Sequence, residues 1–194
     1  YTDTNVAVGG SYEYQIVKIA DGYKGYGYIF AGIEAPLTDA RGKLILTVDR
    51  SQANNLSNDL VRLESDLTGD GWTVVRHDVS RTDSPVSIRN LIINDYNADP
   101  TNVSAVFLFG HIPIFYSGNL NYDGHLARPM PADAFYGDVV GNWNTNLNFL
   151  PADVKLMVGR VDMADMPGNS APVPWPSEVE LLRNYLNKDH AWRH

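Results

Sequence analysis

Two short segments of the chain have the residue types of an active-site turn and of a strand that follows it. They combine acids, aromatic residues and glycine. Residues 132–142 read ADAFYGDVVGN, and residues 154–161 read VKLMVGRV. An acid in such a turn can orient the imidazole that activates a nucleophile. The chain has five histidines but no cysteine, so it contains no thiolate nucleophile, disulfide or cysteine-based zinc site.

The order of these features resembles the first α/β subdomain of the gingipain-type cysteine peptidases (peptidase family C25). The acid-aromatic-Tyr-Gly-Asp turn precedes an apolar strand that ends in Gly159-Arg160, and a helix opens near Ser177-Glu178. The residues that match specifically lie around Gly110, in 133–142 and in 158–160, while the order of the elements matches over roughly 43–193. The resemblance implies a caspase-like α/β fold in two subdomains, with the catalytic His and Cys at strand ends beyond His194.

This resemblance implies that the chain forms a wall of the substrate cleft and supplies no catalytic residue of its own. Asp133 is expected as a supporting acid, and a turn-capping role for it is an equally open alternative. Substrate contacts are expected at four residues, namely Asp138, Asn142, Trp143 and His111. Family members that cut after basic residues place an acid in the specificity pocket. Trp143 stands at one candidate position for that acid, which argues against basic specificity, although Asp138 is nearby.

The histidines could also be considered as ligands of a zinc ion. His111 follows Gly110 at a strand end, a position typical of site residues, but no recognisable ligand spacing joins it to His77, Asp123 or His125 as a zinc site. The sequence favours surface or hydrogen-bonded histidines over site residues.

Calcium is the metal that the sequence permits best. The long stretch between residues 112 and 153 is rich in hard oxygen ligands, and the resemblance also implies structural Ca²⁺. The candidate ligands are Asp123, Asp133 and Asp138, with Asn119, Asn121, Asn142, Asn144 and Asn146 beside them. Asn and Asp also stabilise loops by bonding their own backbone, and no EF-hand spacing is present. No organic cofactor is expected, because no glycine-rich phosphate loop follows a strand.

Alternating strands and helices from Lys43 onward must position these residues. Apolar runs predict strands over 44–48, 72–79, 103–109 and 155–161, and helical spacing predicts helices over 56–67, 85–96 and from Glu178. Strands that alternate with helices predict a parallel α/β sheet. Its ligand-binding edge would carry Asp49-Arg50, His77-Asp78 and Gly110-His111, where the strands end.

Residues 1–36 have a different pattern and read as a β-hairpin. Tyr12, Tyr14 and Ile16 alternate with polar residues, and a second strand runs from Tyr26 to Ile33. The hairpin resembles the last two strands of a fibronectin type III or similar immunoglobulin-like sandwich, with Tyr12 as the corner tyrosine. That resemblance implies earlier strands upstream of Tyr1, a linker at 37–42 and the α/β subdomain at 43–194. Of Tyr23, Tyr26 and Tyr28, at least some are expected in a core.

Composition narrows the class of protein. The chain has 194 residues and a net charge of −8, which argues against a nucleic-acid partner because phosphate binding needs a basic face. No run is apolar and long enough to span a bilayer. The sequence suits a secreted or surface-attached multidomain protein whose partner is a protein or peptide substrate. The alternative is an inactive structural or adhesion module of an extracellular assembly or filament, whose partners are neighbouring chains. A small-molecule-binding α/β domain is a weaker third possibility.

Overall fold

The computed structural model of the protein describes residues 2–35, 39–119, 124, 126–143, 153–166 and 176–193. The chain divides into two compact units, Tyr1–Ala40 and Arg41–His194. The first unit holds strands β1 (Ser11–Ala20) and β2 (Tyr23–Gly32). The second holds β3 (Gly42–Asp49), β4 (Trp72–Val79), β5 (Val103–Phe109) and β6 (Met157–Val161), with helices α1 (Arg50–Ala53), α2 (Ser57–Gly69), α3 (Pro85–Ala98), α4 (Ala134–Gly137) and α5 (Glu178–Arg193).

The second unit is built on a four-stranded sheet in the order β4-β3-β5-β6, and all of its strand pairs are parallel. The predicted parallel α/β sheet with flanking helices is confirmed. The chain moves from β3 to β4 on one side and then returns through α3 to β5 on the other side of β3. The winding reverses between β3 and β5, which is where ligands bind in open parallel sheets.

The two faces of the sheet bury separate apolar cores, because side chains alternate along a strand. On one face, Leu44, Leu46 and Val48 of β3 pack with leucines of α2 and α5. On the other, Ile45 packs with Ile88 and Ile92 of α3. Each fully buried aliphatic side chain contributes roughly 1.5–3 kcal/mol. Burial on both faces explains why β3 and β5 read as continuous apolar runs.

Capping residues set the helix boundaries near the positions that the sequence predicts. Ser84 caps α3 by accepting a hydrogen bond from the Ser87 backbone N–H at 3.0 Å, and Pro85 occupies the first turn. At the start of α5, the Ser177 N–H donates to Glu180 Oε2 at 2.8 Å and the Glu180 N–H donates to Ser177 Oγ at 3.4 Å. This reciprocal pair is a capping box.

The first unit is an antiparallel hairpin in which β1 pairs with β2 over their whole lengths. The Tyr12 hydroxyl accepts a hydrogen bond at 2.7 Å from the backbone N–H of Ala7, five residues upstream. A corner tyrosine makes this kind of contact. An open groove of about 1000 Å³ lies against one hairpin face, and Tyr14, Ile16 and Ile29 are among its lining residues.

The expectation of core positions among the hairpin tyrosines is wrong for this unit. Tyr23, Tyr26 and Tyr28 are 57%, 60% and 62% exposed. Residues 2–35 provide no second layer to cover a two-stranded sheet, and such a hairpin is marginally stable without one. Both of its faces therefore leave apolar side chains in contact with solvent.

No helix in the described ranges has the length and apolar character that crossing a membrane requires.

Candidate functional site at the carboxyl edge of the sheet

Asp49 lies at the end of β3, at the point where the winding of the sheet reverses, and its side chain is completely buried. Its Oδ1 accepts hydrogen bonds from the Ser51 N–H at 2.9 Å and the Ser51 hydroxyl at 2.8 Å. Its Oδ2 accepts from Arg81 Nε at 2.6 Å and from the His111 N–H at 3.2 Å. Four donors thus hold this carboxylate at the centre of the edge.

Arg81 connects that carboxylate to the start of α5. Its guanidinium donates to Asp49 through Nε and to Glu178 Oε1 through Nη2 at 2.5 Å. Burial acts to lower the pKa of Arg81, but the hydrogen bonds and charges of Glu178 and Asp49 outweigh it and the pKa is raised. Arg81 therefore carries a positive charge that ties two acids from distant parts of the chain together.

Gly110, which follows β5, allows the backbone to pass close to Asp49. Its φ is +86°, and a Cβ placed on it would lie 2.5 Å from the Cβ of Asp49. A side chain here would meet both backbone strain and a clash. The glycine thus lets the His111 N–H reach the Asp49 carboxylate.

His111 and Asp162 follow the ends of β5 and β6, which are neighbouring strands. The His111 Nδ1 lies 2.9 Å from Asp162 Oδ2. The second oxygen of Asp162 accepts a hydrogen bond at 3.0 Å from the Ala164 N–H. Arg160 Nη1 lies 3.8 Å from Asp162 Oδ2. The carboxylate is therefore held on both oxygens and orients the imidazole ring.

Arg160 joins the two sequence segments that carry the gingipain resemblance. Its Nε and Nη2 donate to the two carboxylate oxygens of Asp133 at 2.9 and 2.8 Å. Its Nη1 donates to the Ile112 carbonyl at 2.6 Å. This is the two-pronged geometry in which arginine binds carboxylates most strongly. Asp133 is thus paired with an arginine, and its role as a supporting acid stays a prediction.

The Tyr-Gly pair of the turn is fixed by packing against β6. Tyr136 is fully buried, and its hydroxyl donates to the Pro113 carbonyl at 2.5 Å. Burial raises the pKa of this phenol. A Cβ on Gly137 would lie 2.6 Å from both the Leu156 carbonyl oxygen and a Val158 methyl carbon. This close approach explains the glycine next to the buried tyrosine.

Asp138 is a completely buried carboxylate that organises the loop after α4. Its Oδ1 accepts from the N–H groups of Val140 and Gly141 at 3.1 and 2.6 Å, and its Oδ2 accepts from Trp143 Nε1 at 2.8 Å. Arg89 donates to the Asp138 carbonyl, with its Nε at 2.8 Å. This arrangement gives Asp138 a structural role, and its assignment to substrate or calcium stays a prediction.

The other predicted site residues lie in different surroundings. Trp143 packs edge-on against Phe115 and Phe135, with ring centroids 5.7 Å apart in each pair. Asn142 is exposed, and Asp123 lies outside the described residues. In the described part of the chain, no three His, Asp or Glu side chains form a group that could hold a metal ion. Calcium in this loop stays a prediction.

Three residues of this edge are not predicted as site residues from the sequence: Arg81, Glu178 and Asp162. Arg81 and Glu178 lie 97 positions apart, and no local pattern links them. Asp162 could have been found from the sequence, because it directly follows the last strand of this sheet and Asp49 ends the first.

Replacing Arg160 with alanine is expected to lower the free energy of unfolding by about 2 kcal/mol, because it breaks a two-pronged ion pair and leaves the Ile112 carbonyl without its donor. Urea denaturation measures this change. Lys155→Ala is the control, since Lys155 is 41% exposed and its partner Asp153 is 65% exposed, whereas Arg160 is 15% exposed. An exposed pair should contribute less than about 1 kcal/mol. Equal losses in the two variants would contradict the assignment.

Comparison with protein-family profiles, with curated proteins and with solved structures returns no match.

Proposed function

We propose that the unit Arg41–His194 forms the substrate-cleft wall of a gingipain-like cysteine peptidase. The carrying observation is that Asp133, Gly137 and Arg160, which the resemblance rests on, belong to one connected structure. That structure lies beside His111, at the edge where parallel sheets bind their ligands. The connection of these residues in one structure supports a fold and a site shared with that family, which a similarity of sequence alone would not.

In this proposal the peptide bond is cut by a Cys–His pair that lies in polypeptide outside this sequence. The thiolate would attack the carbonyl carbon and form a thioester while the C–N bond breaks and the imidazolium gives its proton to the leaving amine, and water would then hydrolyse the thioester. The present unit would hold the peptide in place. Its edge is suited to that task because Asp49, Arg81 and Arg160 are each fixed by several hydrogen bonds, so little ordering is needed when substrate binds.

The full-length protein tests this proposal. Its complete polypeptide would be established by intact mass and peptide sequencing, and its cleavage of a set of fluorogenic peptides would be measured before and after treatment with iodoacetamide. The expected result is peptide hydrolysis that alkylation of a single cysteine abolishes. A complete polypeptide that adds no Cys and His to this sequence, or hydrolysis that is insensitive to alkylation, would contradict the proposal.

A structural role in a surface assembly is the second candidate, and the hairpin of residues 11–32 favours it. Ile19, Tyr26 and Phe30 are 77%, 60% and 60% exposed, and exposed strands recruit further strands. The hairpin would then be covered by β-strands of a neighbouring chain. Light scattering of the native protein over a concentration series separates the two functions. An inactive protein that forms large assemblies would support the structural role, and a monomeric, active one would contradict it.

A further inference from the structure

The three histidines in the described residues each contact an aspartate, but only His111 lies beyond the end of its strand, whereas His77 lies inside β4, two residues before its end, and His190 lies inside α5. His77 Nε2 lies 2.6 Å from Asp95 and connects β4 to α3. His190 Nδ1 lies 2.8 Å from Asp66 and connects α5 to α2. These two contacts join elements of the fold to one another. His111 instead pairs with Asp162, another strand-end residue beside the proposed cleft.

The backbone of His111 is fixed by the strands on either side of it. Its N–H donates to Asp49, the last residue of β3, and the preceding Gly110 N–H donates to the carbonyl of Val161, the last residue of β6, at 2.8 Å. Its ring is fixed by Asp162, whose oxygens are held by the Ala164 N–H and approached by Arg160. The charged groups that contact His111 are therefore Asp49 at its backbone N–H and Asp162 at its ring, and Arg160 approaches Asp162.

The contact with Asp162 determines which ring nitrogen carries the proton. An ionised carboxylate can only accept, so a neutral imidazole bonded to it through Nδ1 has its proton there and a lone pair on Nε2. Within the described ranges, no residue hydrogen-bonds the Nε2 of His111, and the side chain is 28% exposed. An acceptor with a defined direction is therefore presented at the edge.

We infer that Asp162 and His111 act as a substrate-orienting pair. Asp162 holds the proton on Nδ1, and His111 Nε2 accepts a hydrogen bond from a backbone N–H of the bound peptide. His111 is the contacting residue and Asp162 is the positioning residue. The claim that His111 binds a peptide substrate rests on the proposed peptidase function, whereas the position of the proton on its ring does not.

Nitrogen-15 chemical shifts of the His111 ring test the tautomer without any activity. Two-bond proton–nitrogen correlation of the wild-type protein should show a protonated Nδ1 and an unprotonated Nε2. In Asp162→Asn the amide can donate to Nδ1, and the proton should move to Nε2. A wild-type ring already protonated on Nε2, or a variant with unchanged shifts, would overturn the orienting role of Asp162.

Peptide hydrolysis by the full-length protein tests the substrate contact. Asp162→Asn should raise KM about tenfold at unchanged kcat, the size of one lost hydrogen bond. His111→Asn keeps a polar group near the Nδ1 position and removes Nε2, so it should raise KM by a similar factor. This second variant tests the contact if Asp162→Asn folds poorly. Asp95→Asn, beside His77, is the matched control and should leave KM unchanged.

The outcomes separate the two levels of the inference. An active enzyme whose KM is unchanged in both variants would overturn the substrate contact and leave the peptidase function standing. A wild-type protein without peptidase activity would overturn the proposed function and the substrate contact together, while the nitrogen shifts would still decide the tautomer.

Discussion

Replacing Asp49 with asparagine is expected to lower the free energy of unfolding by about 3 kcal/mol, because a buried carboxylate oxygen that accepts hydrogen bonds is exchanged for an amide group that donates them. The carboxylate is fully buried and accepts four hydrogen bonds, including one from Arg81. Asparagine keeps the size but loses the charge, and its amide would face donors. Arg81 would keep Glu178 as its partner and lose the buried one.

Urea denaturation of the wild-type protein and of Asp49→Asn measures this loss. Asp78→Asn is the matched control, because Asp78 is also an acid near a strand end that pairs with an arginine, but its side chain is 36% exposed. The control should cost less than about 1 kcal/mol, as exposed ion pairs do. Losses of equal size would show that the Asp49 network does not hold the edge together.

Replacing Asp138 with alanine is the second large expected effect, a loss of about 3 kcal/mol. Three donors, the N–H groups of Val140 and Gly141 and the indole of Trp143, would lose their acceptor in a partly buried region. Each buried donor left without an acceptor costs about 1–3 kcal/mol. Water entering the space of the missing carboxylate would recover part of that loss, so the total falls well below the sum.

Thermal and urea unfolding measure the effect, and the fluorescence of the tryptophans reports loosening of Trp143 from its aromatic partners. Asp153→Ala serves as the control, because Asp153 is 65% exposed and pairs with Lys155. The control should change the free energy of unfolding by less than about 0.5 kcal/mol. A loss at position 138 no larger than that at 153 would return Asp138 to the residues available for substrate or calcium.

Sequence alone predicts the sheet well because its signals are local. The run Leu44–Val48 lies within β3, and Val103–Phe109 is reproduced residue by residue as β5. Ser84-Pro85 predicts the start of α3 in the same way. The short helices α1 and α4 were missed, because four-residue helices contain too few turns to show a periodic pattern.

The site is less predictable because its contacts are not local. Position in the sequence marks Asp49 and His111 as strand-end residues, but it does not show that Arg81 lies between Asp49 and Glu178. Asp133 illustrates the opposite case. Its type suggested chemistry, whereas the structure pairs it with Arg160, a contact that neither residue's neighbours in sequence predict.

The hairpin shows how a correct pattern can lead to a wrong environment. Alternation in residues 12–16 gives the right strand, but period two alone does not say what covers each face. Tyr26 and Tyr28 are exposed because residues 2–35 form a single layer. The Tyr12 hydroxyl accepts a hydrogen bond from the Ala7 N–H as a corner tyrosine would, and the hairpin's place in a sandwich stays a prediction.

The most direct test of the cleft assignment is to map where a peptide lies on the full-length protein. A peptidyl chloromethyl ketone that carries a benzophenone would alkylate the catalytic cysteine and then be cross-linked by light, with mass spectrometry locating the cross-links. We predict cross-links within Gly110–Ile112 or Arg160–Asp162, the segments that end β5 and β6. Alkylation accompanied by cross-links confined to the helices on the two faces, or no cysteine labelling at all, would contradict the assignment.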